Sequence, residues 1–297
     1  MSDTALNAGD VREAPIVFPC DGDSLVGIVH RPKKPLQYGL VTIVAGGPQY
    51  RAGVGRGMVN TARFLADRGV AVLRFDYRGL GDSGGDFRGF EHIAQDIESA
   101  VSVLKREVPE VKKVVLWGGC DAASGAMIHS WKIPGADSLV LGNPWVTTHE
   151  THAAAMKQHY LSRLREPSFW RKLFRLDYDL PAYARAGLKK IVHRLARLVR
   201  SPSDEAANVG ADNFVDSMLA GLERYEGPVL FLVSGQSVAS REFDELVKQD
   251  ERWRAACGRP LNKRVDFPAA DQTFSDKNSR ERVNQTILDW ILDLTGR

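Results

Sequence analysis

The sequence predicts an α/β fold with a mostly parallel central sheet, helices on both faces and a helical insertion. Strand-like apolar runs alternate with helical patterns over the first half of the chain, and parallel strands need such crossover helices. Residues 39–45 (GLVTIVA) are almost continuously apolar, as in a strand buried on both faces. The strand signal stops at residue 143 and resumes at residue 228. The 297-residue chain is therefore expected to form one large domain with an insertion, or two domains.

The order of the elements follows from local patterns. Residues 1–15 are polar and predict a flexible segment, and residues 16–18 and 25–30 flank turn residues and predict an antiparallel hairpin. The α/β core is assigned to residues 16–144 and 226–297, and a helical cap over the carboxyl edge of the sheet to residues 145–225. Further strands are expected at residues 39–45, 70–75, 113–117, 138–142, 228–234 and 264–267, and helices at 58–68, 91–106, 121–130, 241–249 and 279–294.

Composition excludes several classes of protein. Lys+Arg 40 against Asp+Glu 37 gives a net charge of +3, which is too small for a dedicated nucleic-acid binder. Three cysteines make no disulfide framework, and no C-x-x-C pair indicates a metal site. The N-terminus lacks the apolar stretch of a secretory signal, and no apolar run is long enough for a transmembrane helix. We expect a cytoplasmic protein without metal or cofactor.

The most informative segment is a strand that runs into Gly118-x-Cys120-x-Ala122 and continues into a helix. This pattern is typical of a nucleophile elbow, where the nucleophile sits on a strained strand-to-helix turn with small neighbours. Cys120 holds the nucleophile position, and the helix N-terminus is expected to favour its thiolate. The alternative is a small buried cysteine that fills space under the turn.

A glycine turn, GGPQYR at residues 46–51, follows the central buried strand. Its glycines allow a backbone N–H to point toward a developing oxyanion. Gly47 is the expected donor because Pro48 has no N–H, and the backbone of Asp121, after the nucleophile, is the expected second donor. Alone, this motif is equally consistent with a plain turn. The residues expected to line the substrate pocket are Gly46, Tyr50, Trp145, His149 and His152.

The run FDYRGLGDSGG at residues 75–85 predicts a tight loop after a strand. Its GDSGG segment also occurs around the nucleophile of trypsin-like proteases, but that fold is all-β and this chain alternates strands and helices. We expect Asp76 and Arg78 to brace one another in a structural role.

The elbow, the glycine turn, the FDYRGLGDS run and NPW at residues 143–145 resemble α/β-hydrolase fold proteins. A narrower resemblance, to the first type of exosortase-A-associated hydrolase, is carried by three segments: GGPQYR, GCDAAS at residues 119–124, and the stretch from HY at 159–160 to FWRKL at 169–173. Those hydrolases are bacterial proteins encoded beside exopolysaccharide and protein-sorting systems. The resemblance extends from about residue 16 to the C-terminus. It implies a Cys-His-Asp hydrolase that acts on an ester or thioester.

The chain departs from that family at two positions. The family has its catalytic acid in the segment S-G-x-D, whereas this chain has SGQS, which ends at Ser237. The family has its general base in A-D-H-T-F, whereas this chain has ADQTF, with Gln272 in the centre. No histidine lies after His193, so none can complete the triad from the C-terminal part. Glutamine hydrogen-bonds the same partners but accepts no proton, which removes a factor of roughly 10²–10⁴ from general base catalysis. The two replacements are consistent with one coupled change.

The favoured function is acyl transfer, in which Cys120 takes an acyl group from a thioester or activated ester and passes it to an amine or thiol, cyclises it, or slowly hydrolyses it. The substrate is a small molecule or is bound to a carrier. The alternative is a catalytically silent protein that keeps the pocket for a ligand or partner. His149, His152 or His159 could also replace the missing base, although the interpretation that we favour for them is an ordinary polar cap helix.

Residues 187–201 (GLKKIVHRLARLVRS) predict a basic amphipathic helix. Such a helix can bind an anionic membrane or an acidic acyl carrier protein. The ordinary alternative, which we favour slightly, is a cap helix that packs its apolar stripe on the domain.

Overall fold

A computed structural model describes residues 11–46, 49–147 and 205–296 of the chain. These residues form an eight-stranded sheet in the order β1-β2-β4-β3-β5-β6-β7-β8. Strand β2 pairs antiparallel with β1 and β4, and all other neighbouring strands are parallel. The strands are β1 (Val11–Cys20), β2 (Asp23–Pro32), β3 (Tyr38–Ile43), β4 (Ala71–Asp76), β5 (Lys113–Gly119), β6 (Ala136–Gly142), β7 (Val229–Ser234) and β8 (Lys263–Phe267).

Helices connect the parallel strands, as the alternation of patterns predicts. The helices are α1 (Gly57–Ala66), α2 (Ala94–Glu107), α3 (Asp121–His129), α4 (Glu205–Arg224), α5 (Val238–Gln249), α6 (Glu251–Cys257) and α7 (Lys277–Leu294). Short 3₁₀ turns precede α1 (Val54–Arg56) and α2 (Phe90–His92), and one follows α3 (Ser130–Lys132). The predicted α/β fold with a mostly parallel sheet is confirmed.

Helices cover both faces of the sheet. On one face, α1 and α7 share a core with alternate residues of β3, β4 and β5, including Leu40, Val72 and Val115. On the other face α2 approaches so closely that a Cβ on Gly39 would lie 3.0 Å from Leu104. Every residue of β3, β4 and β7 is buried, which explains their nearly continuous apolar sequences.

The first strand is longer than the sequence predicts. It begins at Val11 and pairs with β2 along its whole length, from Val11 opposite Pro32 to Cys20 opposite Asp23. The prediction of a flexible segment is therefore wrong for residues 11–15. Because β1 is an edge strand, it accommodates prolines and polar residues, and these hide the strand in the sequence.

The chain divides into two compact units, Met1–Val146 with Asp216–Arg297, and Thr147–Val215. Most of the predicted cap, and all of the basic helix at residues 187–201, lie outside the described residues. Each helix that the structure describes is too short or too polar to cross a membrane.

Candidate active site

Cys120 occupies a strained turn between β5 and α3. Its backbone has φ 58° and ψ −128°, a conformation that non-glycine residues seldom adopt. Its N–H donates to the carbonyl of Gly142 at 2.8 Å, which ties the turn to the end of β6. A Cβ on Gly118 would come within 2.8 Å of the Ala122 backbone, so the turn requires a glycine there. This is the geometry that the elbow motif predicts.

A cavity of about 740 Å³ opens beside Cys120. Its walls are mainly apolar, with the side chains of Met58, Trp117, Phe274 and Val283 among them. Of the site residues named from the sequence, the described ones on its wall are Gly46, Cys120, Asp121, Trp145 and Gln272.

Tyr50 is a wrong prediction. Its side chain is 52% exposed and does not line the cavity. The loop backbone is held by Asp76, which accepts a hydrogen bond from the Arg51 N–H, and the Tyr50 ring extends away with the Arg51 guanidinium 6.0 Å from its centroid. The local pattern identifies the loop but does not fix the direction of this side chain.

Gln272 connects Cys120 to Ser237. The Ser237 hydroxyl donates a hydrogen bond to Oε1 of Gln272. The Gln272 side chain lies close enough to the Cys120 thiol to act on its pKa, which it lowers. Ser237 is buried and caps α5, accepting a hydrogen bond from the Ser240 N–H at 3.2 Å. The structure therefore brings Cys120, Gln272 and Ser237 into one line of contacts.

Asn143 holds this arrangement together and was not singled out from the sequence as a site residue. Its Nδ2 donates to the backbone carbonyl of Gln272 at 2.8 Å. Its Oδ1 accepts from the Ser234 N–H at 2.8 Å and from the Ser240 hydroxyl at 2.7 Å. Asn143 is fully buried with φ 47°, so its side chain links the carboxyl ends of β6 and β7 to the loop that carries Gln272. The only sequence signal was the NPW run directly after β6.

The loop around Gln272 is fixed by its neighbours in the chain. The Asp271 carboxylate accepts hydrogen bonds from the backbone N–H groups of Thr273 at 3.0 Å and Ser275 at 2.9 Å. Burial alone would raise the pKa of Asp271, but the pKa is lowered overall because Ser275 and Thr273 donate hydrogen bonds to the carboxylate. The Phe274 ring, which lines the cavity, packs edge-on against Phe267. Gln272 is thus presented to the cavity by a braced turn.

The environment of Cys120 disfavours its thiolate. Burial raises the pKa of the thiol, and the negative charge of Asp121 raises it further. Hydrogen bonds from the Asp121 N–H and from Gln272 act in the opposite direction without reversing the shift. The site therefore does not favour the expected thiolate, because burial and the adjacent Asp121 carboxylate raise the pKa of the Cys120 thiol.

The predicted oxyanion donors are only partly described. Gly47 lies outside the described residues, and the Asp121 backbone is near enough to the Cys120 thiol to lower its pKa. The Asp121 carboxylate accepts the Gly46 N–H, with Oδ2 2.9 Å from the nitrogen, and burial raises the pKa of this carboxyl group. Asp121 therefore ties the glycine turn to the elbow.

The ion pairs behind the site differ from the predicted contact between Asp76 and Arg78. Asp76 is fully buried and pairs with Arg51, which also contacts Asp82 at 2.7 Å. Arg78 pairs instead with buried Asp96 at 2.9 Å. The predicted contact between Asp76 and Arg78 is wrong, because Asp76 at the end of β4 pairs with Arg51, whereas Arg78 in the loop after β4 pairs with Asp96 on α2.

His149 and His152 lie outside the described residues. Within the part of the chain that the structure describes, no group of three or more histidine, cysteine, aspartate or glutamate side chains could hold a metal ion.

Residues 51–204 match the model of a protein family described as serine aminopeptidase, S33. No curated protein matches the chain by sequence. An esterase of Pyrococcus furiosus has a similar structure, with a TM-score of 0.63 and 16% identity over 95% of this chain and 91% of the esterase. Est1E from Butyrivibrio proteoclasticus, solved with ferulic acid bound, has a TM-score of 0.60 and 17% identity over 95% of this chain and 100% of its own. Proline iminopeptidase of Mycobacterium smegmatis has a TM-score of 0.61 and 15% identity over 96% of this chain and 100% of its own. These likenesses show the α/β-hydrolase fold.

Proposed function

This chain belongs to the serine aminopeptidase S33 family of α/β-hydrolases, and from that premise we propose that it is an acyl-transfer enzyme whose nucleophile is Cys120. The observation that carries the proposal is the line of contacts from Cys120 through Gln272 to Ser237 beside an apolar cavity. The elbow is intact, but the positions expected for base and acid hold an amide and a hydroxyl. The reaction must therefore proceed without a histidine at the base position.

The first half-reaction suits a cysteine. Thiols react with activated acyl groups even without an adjacent base, because sulfur is strongly nucleophilic. The sulfur forms a bond to the acyl carbon, the bond to the leaving thiolate or alkoxide breaks, and the leaving group takes the thiol proton. The product is an acyl thioester on Cys120. Gln272 positions the sulfur by hydrogen bonding but removes no proton.

The second half-reaction favours an acceptor other than water. Water is a poor nucleophile unless a base removes its proton, so hydrolysis should be slow. An amine attacks the thioester carbonyl directly, releases the Cys120 thiol and forms an amide; a thiol acceptor forms a new thioester. Acyl transfer or cyclisation is therefore proposed in preference to efficient esterase action.

The nature of the donor is a proposal that rests on resemblance. Similarity to the first type of exosortase-A-associated hydrolase supports an ester or thioester substrate, small or bound to a carrier. An acidic carrier protein would complement the basic sequence at residues 187–201. A cytoplasmic location remains a prediction.

A second function, ligand binding without chemistry, is favoured by one specific observation. The pKa of the Cys120 thiol is raised, so little thiolate is present at neutral pH. A protein that had lost its base and acid could retain the cavity for binding alone.

Intact-mass spectrometry separates the two functions. The protein is incubated with an S-aryl acyl thioester, and we expect a mass increase of one acyl group on wild type and none on Cys120→Ala. Cys257→Ala is the matched control and should still be acylated, because burial raises the pKa of Cys257 to about 12. No adduct on wild type, with turnover unaffected in Cys120→Ala, would contradict acyl transfer and favour the binding function.

A further inference from the structure

Arg280 places a positive charge on the wall of the cavity. It lies in the first turn of α7 and is half-buried. Its Nη1 atom is 3.9 Å from the position that a Cβ on Gly55 would occupy, which puts the guanidinium beside the glycine-rich turn before α1. Among the described residues, the guanidinium has no ion pair and no hydrogen bond.

The neighbouring charges do not neutralise Arg280. Lys277 and Glu281 also line the cavity, but they are exposed and face one another at 3.8 Å. Their charges offset each other, and the other carboxylate on the wall, Asp121, accepts the Gly46 N–H, so neither provides a counter-charge for Arg280. Most of the remaining wall is apolar, including Val54, Met58 and Val283.

A half-buried guanidinium without a partner in apolar surroundings has lost part of its hydration and gained nothing in return. An anion that enters the cavity would restore that loss, since arginine binds carboxylates and phosphates through two parallel hydrogen bonds. The cavity, at about 740 Å³, is large enough for a ligand with both an apolar body and an anionic group.

We propose that Arg280 is a specificity-determining residue that binds an anionic group, a carboxylate or phosphate, remote from the reacting carbonyl of the substrate. This inference rests on the proposed function, because it assumes that the substrate of Cys120 occupies this cavity. The anionic group belongs either to the acyl chain or to the leaving group, and the two sources are distinguished by the choice of probe.

The test compares thioesters that differ by a single charge. Hexanoyl and adipoyl thioesters of 4-nitrothiophenol share a leaving group, and only the adipoyl chain ends in a carboxylate. We expect wild type to be acylated faster by the adipoyl compound, and Arg280→Gln to lower the adipoyl-to-hexanoyl ratio about tenfold. Hexanoyl 5-thio-2-nitrobenzoate carries its carboxylate on the leaving group instead. A loss confined to that probe would assign the anionic group to the leaving group.

Arg282→Gln is the matched control. It removes the same charge from the same helix, but the Arg282 guanidinium stacks on the Phe267 ring outside the cavity wall. It should leave every ratio unchanged. Equal ratios in wild type and Arg280→Gln for both charged probes would overturn the proposal.

A binding measurement keeps this inference separate from the chemistry of Cys120. Adipate is titrated by calorimetry into Cys120→Ala and into Cys120→Ala with Arg280→Gln. If wild type is never acylated but adipate binding is lost with Arg280, the proposed function fails and the anion site stands. If adipate binds both variants equally, or neither, the anion site is wrong.

Discussion

At the scale of single residues, Cys120, Gln272 and Ser237 form one line of contacts that contains no histidine. Gln272 lies between Ser237 and Cys120, but it accepts a hydrogen bond from Ser237, whereas a triad histidine donates one to its acid. An amide cannot take up the thiol proton at neutral pH. Ser237 is uncharged, which suits a buried position without a cationic partner.

The sequence predicted these three positions because each follows the end of a parallel strand, and those ends meet at one edge of the sheet. It could not predict the protonation of Cys120, since burial by distant segments and the orientation of Asp121 determine the pKa of the thiol. Asn143 was missed for a similar reason. Its partners, Ser234, Ser240 and Gln272, are about ninety or more positions away in the chain.

Replacing Asp121 should change the titration of Cys120. The Asp121 carboxylate disfavours the neighbouring thiolate, so Asp121→Asn removes one cause of the raised pKa while keeping an oxygen that can accept the Gly46 N–H. We expect the midpoint of Cys120 alkylation by iodoacetamide, measured against pH, to move to lower pH. Glu98→Gln removes an exposed carboxylate from α2 and should leave the midpoint in place. A midpoint that stays constant or rises in Asp121→Asn would contradict this electrostatic interpretation.

At the scale of elements, buried ion pairs fix the loops behind the elbow. Arg78, in the loop after β4, pairs with Asp96 on α2, and both side chains are nearly excluded from solvent. The sequence predicted that these charges were structural but chose the wrong partner for Asp76. Charges on neighbouring segments can pair in several ways, and only the packed structure selects one.

Asp96→Asn should destabilise the protein strongly. It leaves the Arg78 guanidinium buried without its main counter-charge, which costs about 3–5 kcal/mol in the free energy of unfolding. The comparison is Glu223→Gln, which breaks the exposed pair between Glu223 and Arg252 and should cost less than about 1 kcal/mol. Urea unfolding followed by circular dichroism measures both. Equal losses in the two variants would show that burial does not govern the strength of these pairs.

At the scale of the whole molecule, the buried parallel strands and their connecting helices form the part of the fold that the sequence predicts best. The parallel core was predictable because buried strands and amphipathic helices have distinct sequence periods. The early start of β1 and the seven-residue helix α6 were not predictable in this way. An edge strand tolerates polar residues, and a helix of two turns, begun here by the Asp250 cap, is too short for a clear period.

The fold therefore brings segments from across the chain to one site: the elbow near residue 120, Asn143, the start of α5 at Ser237 and the braced loop at Gln272. The central claim is that Cys120, Gln272 and Ser237 hold the positions of nucleophile, base and acid. It predicts that two substitutions together raise the rate of hydrolysis far more than either does alone.

The most direct measurement is the rate of aryl-ester or thioester hydrolysis by Gln272→His, Ser237→Asp and the double variant. Gln272→His alone should gain little, because the imidazole has no carboxylate to orient it, and Ser237→Asp alone adds a buried charge without a partner. An aspartate at 237 can still cap α5. The double variant should gain much more than the product of the singles, roughly 10²-fold or more over wild type, because a triad acts as a unit. Gln272→Asn with Ser237→Asp is the control and should show no gain. Independent effects of the two substitutions, or a double variant no faster than wild type, would contradict the assignment of these positions.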